Sequence, residues 1–476
     1  MDSRNSVHTT VSLLLLICFS VSGCRGATRP HVIFIVADDL GWNDVSWHNP
    51  DIISPHLDGL ARDGVILGSS YVQPNCSPSR SCFMSGKYPY HTGLQSGVIY
   101  PLEPRGMPLS LTTLPEKLKE AGYINHMVGK WHLGFCNQQY LPTSRGFDTF
   151  VGFYLGLEDH YTHRRGGYDM RFNDTLYSEA EGIYSTELFG QRAVDIINSH
   201  PSDQPLFLYL SFQAVHGPLQ VPQRYEDMNS HIKNRRRRRY SAMVTAMDEA
   251  VGNVRQALEA TGLMENSVII FNTDNGGPAH KVSNNLPLRG SKNTLYEGGT
   301  KGPAFVYSKK HIKKTGYINN QMIHAVDWFP TILHLAGVTP DRDIDGVNQW
   351  PTLSEGVISA RKEFVYNIDE SQAAIRVGKY KLIQGSAGDL NGWYPVVGSG
   401  ASPTYVTGES IDFRLYDIEA DPSEHFDLAS QFPSIVKLMK RKLKQYRKST
   451  VPAGNQPHDQ RGNPNNFGGA WSPGWC

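Results

Sequence analysis

Cysteine, excess charge of one sign and long apolar runs are all scarce in this sequence. Its 476 residues include 6 cysteines, which excludes a small scaffold built on disulfides. The 46 basic and 45 acidic residues leave a net charge of +1, so we expect no nucleic-acid partner. Any anion must be bound by a local cluster of basic side chains. With 39% hydrophobic residues, the chain can form a large core.

The apolar run at residues 11–21 is shorter than the roughly 20 residues that span a bilayer. Arg4 precedes this run, and small residues follow it up to Ala27, as in a secretory signal. We therefore expect residues 1–27 to be the signal peptide of an exported protein, extracellular or lysosomal, with no membrane span. Residues 21–24 also fit a bacterial lipoprotein processing site, and this alternative stays open.

Apolar, β-branched runs recur along the chain and predict strands that are buried on both faces of a parallel sheet. They cover residues 31–37, 206–212 and 268–273. Helical patterns lie between them, at residues 114–121, 186–198 and 240–260. This alternation predicts an α/β sandwich with a mostly parallel central sheet.

The pattern changes after residue 360, where short strand patterns alternate with Gly-rich turns. These patterns cover residues 364–367, 374–377, 379–383 and 414–417, and a helix pattern covers residues 434–447. They predict a smaller α+β domain with an antiparallel sheet. We therefore divide the chain after the signal into residues 28–360 and 361–476. The tail from Val451 is rich in Pro, Gly and Asn, and we expect it to lack regular structure.

Acidic side chains directly follow two of the predicted strands: Asp38 and Asp39 after the first, and Asp274 beside Asn275 after the third. Such residues commonly make turns, but the carboxyl ends of parallel strands also form binding sites. Like charges about 4 Å apart repel by roughly 4 kcal/mol at an effective dielectric near 20, a cost that a divalent cation removes. The all-oxygen set favours Ca²⁺, with Mg²⁺ as the alternative.

The segment Cys76-Ser77-Pro78-Ser79-Arg80 stands apart from its surroundings. A lone cysteine is most often a small buried thiol, but further polar residues follow near other strand patterns. These are Lys130 and His132 in Gly-Lys-Trp-His, then His216 and Lys292. Each would by itself be a surface lysine or a packed histidine, whereas the whole set predicts a site for an anion.

Taken together, these motifs resemble those of the sulfatase family. The matching stretches are residues 37–44, 76–81, 126–134, 215–222, 273–277 and 288–292. Within the family, the chain most resembles the arylsulfatase B type, the N-acetylgalactosamine-4-sulfatases. The resemblance implies an alkaline-phosphatase-like α/β sandwich and a sulfuric ester hydrolase. Its expected substrates are sulfated glycans or aryl sulfates.

The resemblance also implies a nucleophile and a metal site. Cys76 would be oxidised by a formylglycine-generating enzyme, and the hydrated aldehyde would attack sulfur and expel the alcohol. Calcium would be held by Asp38, Asp39, the converted Cys76, Asp274 and Asn275. Sulfate would be bound by Lys130, His216 and Lys292. His132 would act as a base beside the nucleophile, and Arg80 would fix the aldehyde loop.

Two other functions stay open at this point. A phosphodiesterase or phosphonate monoester hydrolase of the same superfold would share the metal carboxylates. If Cys76 remained a thiol, the chain would instead be a non-catalytic glycan-binding protein. Conversion of Cys76 would leave Cys82, Cys136 and Cys476 after removal of the signal, and the sequence leaves their pairing open.

Two further segments carry expectations of their own. Asn173-Asp174-Thr175 fits the acceptor sequence for N-glycosylation. Residues 235–239 are five consecutive arginines. They predict a solvated helix start or loop, or a functional segment that contacts a polyanionic glycan or is sensitive to proteases.

Overall fold

The computed structural model describes residues 29–406 and 412–476, so the predicted signal at residues 1–27 lies outside the described residues. Its helices are α1 (Pro55–Asp63), α2 (Cys76–Ser85), α3 (Leu114–Lys119), α4 (Ser185–Ser199), α5 (Gln223–Met228), α6 (Arg235–Ala260), α7 (Glu297–Thr300), α8 (Trp328–Ala336), α9 (Trp350–Glu355) and α10 (Pro433–Arg447). Among the described residues, no helix combines the length and apolar character needed to cross a membrane.

The strands belong to three sheets. They are β1 (His31–Ala37), β2 (Val65–Leu67), β3 (Ser70–Tyr71), β4 (Ile124–Lys130), β5 (Thr149–Phe153), β6 (Met170–Phe172), β7 (Thr175–Leu176), β8 (Leu206–Ser211), β9 (Ser267–Thr273), β10 (Phe305–Tyr307), β11 (Tyr317–Asn319), β12 (Ile323–His324), β13 (Glu363–Ile368), β14 (Ala373–Val377), β15 (Tyr380–Gln384) and β16 (Phe413–Asp417).

The main sheet has ten strands in the order β11-β2-β10-β9-β1-β8-β4-β5-β6-β7. Its five central strands, from β9 to β5, run parallel, and β10 and β6 flank them in the opposite direction. Every residue of β1 is buried, because helices cover both faces of the sheet. On one face, Phe34 packs against Phe83 of α2 and Trp328 of α8. The predicted α/β sandwich with a mostly parallel sheet is confirmed.

The strand predictions at residues 31–37, 206–212 and 268–273 correspond to β1, β8 and β9. The helix predicted at residues 240–260 was too short, because α6 begins at Arg235 and includes the whole arginine run. The Asn234 side chain caps the first turn by accepting a hydrogen bond from the Arg237 N–H at 3.0 Å. The run is therefore a helix start, which is one of the two structures that it predicts.

A separate sheet with the order β13-β14-β15-β16 is antiparallel throughout. Helix α10 packs against β14, so the predicted small antiparallel sheet is confirmed. The tail is more ordered than predicted, because two short 3₁₀ helices form at Gln460–Gly462 and Pro464–Phe467. Cys476 in this tail forms a disulfide with Cys136.

A buried ion cluster joins the small sheet to the rest of the chain. Lys381 of β15 lies 3.0 Å from a Glu297 carboxylate oxygen and 2.8 Å from one of Glu424, with all three side chains buried. Burial raises the pKa of Glu424 to about 7. In Glu297, burial also acts to raise the pKa, but the charges of Lys381, Lys301 and Arg376 together lower it to about 2. Glu297 belongs to α7 and Lys381 to the small sheet, so their ion pair joins these two parts, together with a hydrogen bond that the Tyr366 hydroxyl of β13 donates to Glu297 at 2.6 Å.

We expect Lys381→Met to destabilise the protein by about 3–5 kcal/mol, because it leaves two carboxylates buried without their cation. The matched control is Lys379→Met, two residues earlier. Lys379 also pairs with a carboxylate, that of Asp417 at 2.7 Å, but its side chain is 47% exposed and its loss should change stability little. Denaturant unfolding followed by tryptophan fluorescence measures both. Equal shifts in the two variants would contradict a structural role for the buried cluster.

Candidate active site

The predicted site residues meet at the carboxyl ends of the central strands. β1 and β9 pair in register from His31–Ser267 to Ala37–Thr273, so Asp38 and Asp274 leave the sheet side by side. The chain after β8 continues beside them, since the Val215 N–H donates to the Asp38 carbonyl at 2.7 Å. This register explains why residues far apart in sequence share one site.

Four acidic or sulfur side chains form one buried group. Ligand atoms of Asp38, Asp39, Cys76 and Asp274 all lie within 4.8 Å of one another. The Asn275 amide nitrogen donates to Asp39 Oδ1 at 2.7 Å, whereas its Oδ1 is buried and has no hydrogen-bond partner. A buried oxygen acceptor without a donor, beside three carboxylates, fits the ligand preference of Ca²⁺. The residues present therefore fit the predicted calcium site.

Each carboxylate is also paired with a cation. Three basic side chains do this: Lys130 Nζ lies 2.5 Å from Asp38 Oδ2, Lys292 Nζ lies 2.5 Å from Asp39 Oδ1, and Arg80 Nη2 lies 2.8 Å from Asp274 Oδ2. Because these groups are buried or nearly so, loss of any one cation would leave a buried charge uncompensated.

The two neighbouring aspartates differ in acidity. Burial, together with the charge of Asp274, raises the pKa of Asp38 to about 7 although Lys130 acts in the opposite direction. Burial also acts to raise the pKa of Asp39, but the charge of Lys292, with hydrogen bonds from Lys292 and Asn275, holds that pKa below its usual range. Asp39 is thus the more acidic of the two aspartates.

Arg80 forms hydrogen bonds at the ends of three strands, β4, β8 and β9. It lies four residues after Cys76 on α2, so the two side chains share one face of the helix. Its guanidinium donates to the Lys130 carbonyl at 3.0 Å and to the Ser211 hydroxyl at 2.5 Å, besides binding Asp274. Cys76 therefore lies in the first turn of α2, next to the acidic group. Arg80, one turn later, holds the helix against the ends of the strands.

Cys76 lies at the centre of the group and lines a pocket of about 180 Å³. Its sulfur is 3.7 Å from Asp38 Oδ1 and 3.3 Å from Lys292 Nζ. Burial, with a contribution from the charge of Asp274, raises the pKa of the thiol to about 12. The unmodified side chain is therefore a protonated thiol and a poor nucleophile at neutral pH.

The two site histidines are neutral. His132 Nε2 lies 3.1 Å from the Ile99 carbonyl, a contact that requires a proton on Nε2 and leaves a lone pair on Nδ1. That Nδ1 is buried without a partner, and burial together with the charge of Lys130 holds the His132 pKa well below its usual value. In His216, burial lowers the pKa to about 3, and Nδ1 contacts the Gly217 carbonyl at 2.7 Å.

All of the predicted catalytic, metal and substrate-binding residues are thus brought together, and the glycosylation candidate is apart from them. Asn173 lies at the turn between β6 and β7, outside the residues that line the pocket over Cys76. A larger cavity of about 680 Å³ lies elsewhere too, beside Arg29 and His31 at the opposite end of β1. It holds none of the predicted site residues.

Sequence analysis missed the segment that supports His216 and His132. His160 Nε2 contacts the His216 carbonyl at 3.1 Å, and Gln213 donates to the Glu158 carbonyl at 2.7 Å. The available signal was the polar group Glu158 to His160 shortly after an apolar run, the same pattern that identified Asp38. Gly156 had no such signal, because only the folded structure places it against His132.

Gly156→Ala should lower turnover of the predicted sulfate ester substrates at least tenfold, because a Cβ there would lie 2.5 Å from the His132 ring. The imidazole would have to move, and a displacement of about 1 Å can cost 10²-fold in rate. The matched control is Gly59→Ala in α1, where the backbone is helical and an added Cβ makes only an ordinary contact, 3.5 Å from the Arg255 side chain. Steady-state kinetics with a nitrophenyl ester tests both variants. Full turnover in Gly156→Ala would show that the His132 position is not critical.

Comparison with known proteins points to one family. A family model described as Sulfatase matches residues 30–338. Arylsulfatase J of Mus musculus is 44% identical over 95% of this chain and 81% of its own length. N-acetylgalactosamine-6-sulfatase of Homo sapiens is 31% identical over 75% of this chain and 72% of its own length. The solved structure of Ps i-CgsB in complex with k-i-k-neocarrahexaose has a TM-score of 0.78 at 28% identity, covering 90% of this chain and 95% of that chain.

Proposed function

This chain belongs to the sulfatase family and is a sulfuric ester hydrolase, and from that premise we propose that its nucleophile is a formylglycine made from Cys76. The observation that carries the proposal is the position of Cys76. Its sulfur lies within 4 Å of both a cluster carboxylate and the Lys292 ammonium. In the unconverted chain, the Cys76 sulfur occupies the place of the oxygens of the hydrated aldehyde. One of these oxygens would attack the sulfur atom of the sulfate ester.

We assign sulfate binding to Lys130, Lys292 and His216. A sulfate monoester carries a negative charge that protonation does not remove near neutral pH, so fixed donors must hold it. The two ammonium groups are already directed at the acidic group that surrounds Cys76. An anion bound beside His216 would raise the pKa of that imidazole, which suits it to protonate the leaving oxygen together with Lys292.

We assign the base to His132. Its Nδ1 lone pair is unengaged, and the pocket over Cys76 is lined by this imidazole. The neutral ring is in the state that accepts a proton. Arg80 is assigned a positioning role, because its guanidinium is fully occupied by Asp274, Ser211 and the Lys130 carbonyl.

We propose that Ca²⁺ is held by Asp38, Asp39, Asp274, Asn275 and the converted side chain of Cys76, with Mg²⁺ as the alternative. When bound, the ion would offset the charge of the carboxylates and stabilise negative charge on an oxygen next to it. Lys130 and Lys292 would then no longer be the only cations that balance Asp38 and Asp39.

We further propose that residues 28–360 form the catalytic domain and residues 361–476 a small C-terminal domain. The route would be the secretory pathway, where a formylglycine-generating enzyme would convert Cys76 and a glycan would be attached to Asn173. The substrate class is a sulfated glycan or an aryl sulfate, and N-acetylgalactosamine 4-sulfate is the specific glycan candidate. Relatives that are named as N-acetylgalactosamine-6-sulfatases support an amino sugar.

Conversion of Cys76 predicts a peptide mass below that of the cysteine form, measured on the purified protein by mass spectrometry. Cys76→Ala should lose at least about 10³-fold of nitrophenyl sulfate turnover, since the nucleophile is gone. Cys82→Ala is the matched control, because Cys82 is a second free, buried cysteine on the same helix. An unshifted peptide in a fully active protein would overturn the proposal.

Chelation should abolish turnover and lower the midpoint of thermal unfolding, because the buried carboxylates lose the bound metal ion. We expect Ca²⁺ to restore both quantities more fully than Mg²⁺. Asn275→Leu should weaken recovery by Ca²⁺, since it removes the unpartnered amide oxygen. Full turnover in protein shown by elemental analysis to be free of metal would exclude a metal role.

A further inference from the structure

The cleft over Cys76 opens into a second pocket of about 400 Å³. Leu157, His216, Lys292 and Asn293 line both pockets, so the two form one continuous cleft. The outer wall of the second pocket carries three more basic side chains, Arg236, His280 and Lys281. Arg236 lies at the start of α6, and His280 and Lys281 lie between β9 and α7. The pocket over Cys76 is lined by no residue of α6, whereas Lys292 and Asn293 of the second segment line it.

Arg236 differs from the three arginines that follow it in the run. Arg237 is buried against Asp44 at 2.5 Å, and Arg239 pairs with Glu226 at 2.7 Å. Arg238 lies 3.9 Å from the same glutamate. Arg236 is exposed, and no carboxylate within residues 29–406 and 412–476 forms an ion pair with it. Its guanidinium is therefore available to a ligand of the pocket.

Lys281 lines the same pocket and is also unpaired among the described residues. It is exposed, and it forms no ion pair with any described carboxylate. His280 lines the same pocket and is held by a 2.8 Å contact between its Nδ1 and the Ser291 hydroxyl. Burial lowers the pKa of His280, and the charges of Lys281 and, more weakly, Arg236 act in the same direction against that of Asp39.

We propose that Arg236 and Lys281 form a second anion subsite, which binds another negatively charged group of the same glycan whose sulfate is hydrolysed at Cys76. This inference rests on the proposed function and narrows its substrate class. Two uncompensated cations in a concave pocket favour a carboxylate or sulfate, and a guanidinium can bind either with two parallel hydrogen bonds. A simple aryl sulfate has one anionic group and would leave the subsite empty. The geometry therefore favours a polyanionic oligosaccharide.

The test compares Arg236→Ala/Lys281→Ala with the control Lys233→Ala/Arg235→Ala. The control removes two nearby exposed charges that do not line the pocket. The substrates are nitrophenyl sulfate and a sulfated disaccharide that contains a uronate. We expect the ratio of kcat/KM for the disaccharide to that for the aryl ester to fall about 10–100-fold in the first variant, mainly through KM. An equal ratio in the two variants would overturn the subsite.

Two further substrates separate the possible anions. If the subsite binds a carboxylate, the effect disappears with the carboxyl-reduced disaccharide. If it binds a second sulfate, the effect appears with a disulfated monosaccharide, and either result supports the subsite. Calorimetry measures the binding of the uronate disaccharide and of the disulfated monosaccharide to Cys76→Ala, with and without Arg236→Ala/Lys281→Ala. This measurement does not depend on turnover. It decides the subsite even if the wild-type protein hydrolyses no sulfate, a result that would count against the proposed function alone. Unchanged binding there would overturn the subsite.

Discussion

Three carboxylates buried at one edge of the sheet can coexist only because three cations lie beside them. Lys130 comes from the end of β4, Lys292 from the loop after β9 and Arg80 from α2, so three separate segments must arrive together. Like-charge repulsion in a poorly solvated site would otherwise drive the aspartates apart or protonate them. The order of the strands and the position of α2 are thus linked to the balance of charge between these three carboxylates and three cations.

Burial and the balance of charge together set the chemical state of the two histidines. Burial is the main reason that His132 and His216 stay neutral, and the lysines that compensate the aspartates oppose their protonation further. Neutral imidazoles have one donor and one acceptor nitrogen each, and a backbone carbonyl fixes which is which in both residues. In His132 the nitrogen that stays free to accept a proton is Nδ1, and in His216 it is Nε2, which lies 3.6 Å from Asp39 Oδ2.

Much of the fold and the site could be predicted from the sequence because the central strands are parallel and fully buried. Their apolar runs have sharp ends, and the positions of Asp38 and Asp274 directly after two of these runs indicate that the side chains are neighbours. Partners distant in sequence had no such signal. The sequence left open whether residues 235–239 begin a helix or form a loop, because five adjacent arginines repel one another and the acids that stabilise them, Asp44 and Glu226, are known only from the fold. The same limit hid the support that His160 gives to His216.

The depth of Cys76 has a consequence for the order of events in the life of this chain. Its side chain is 2% exposed and belongs to the first turn of a helix. An enzyme that modifies this residue must hold the surrounding peptide in its own active site, and a helix packed against a sheet offers no such access. Maturation at Cys76 would therefore have to precede the docking of α2, which makes the timing of folding a determinant of how many molecules become active.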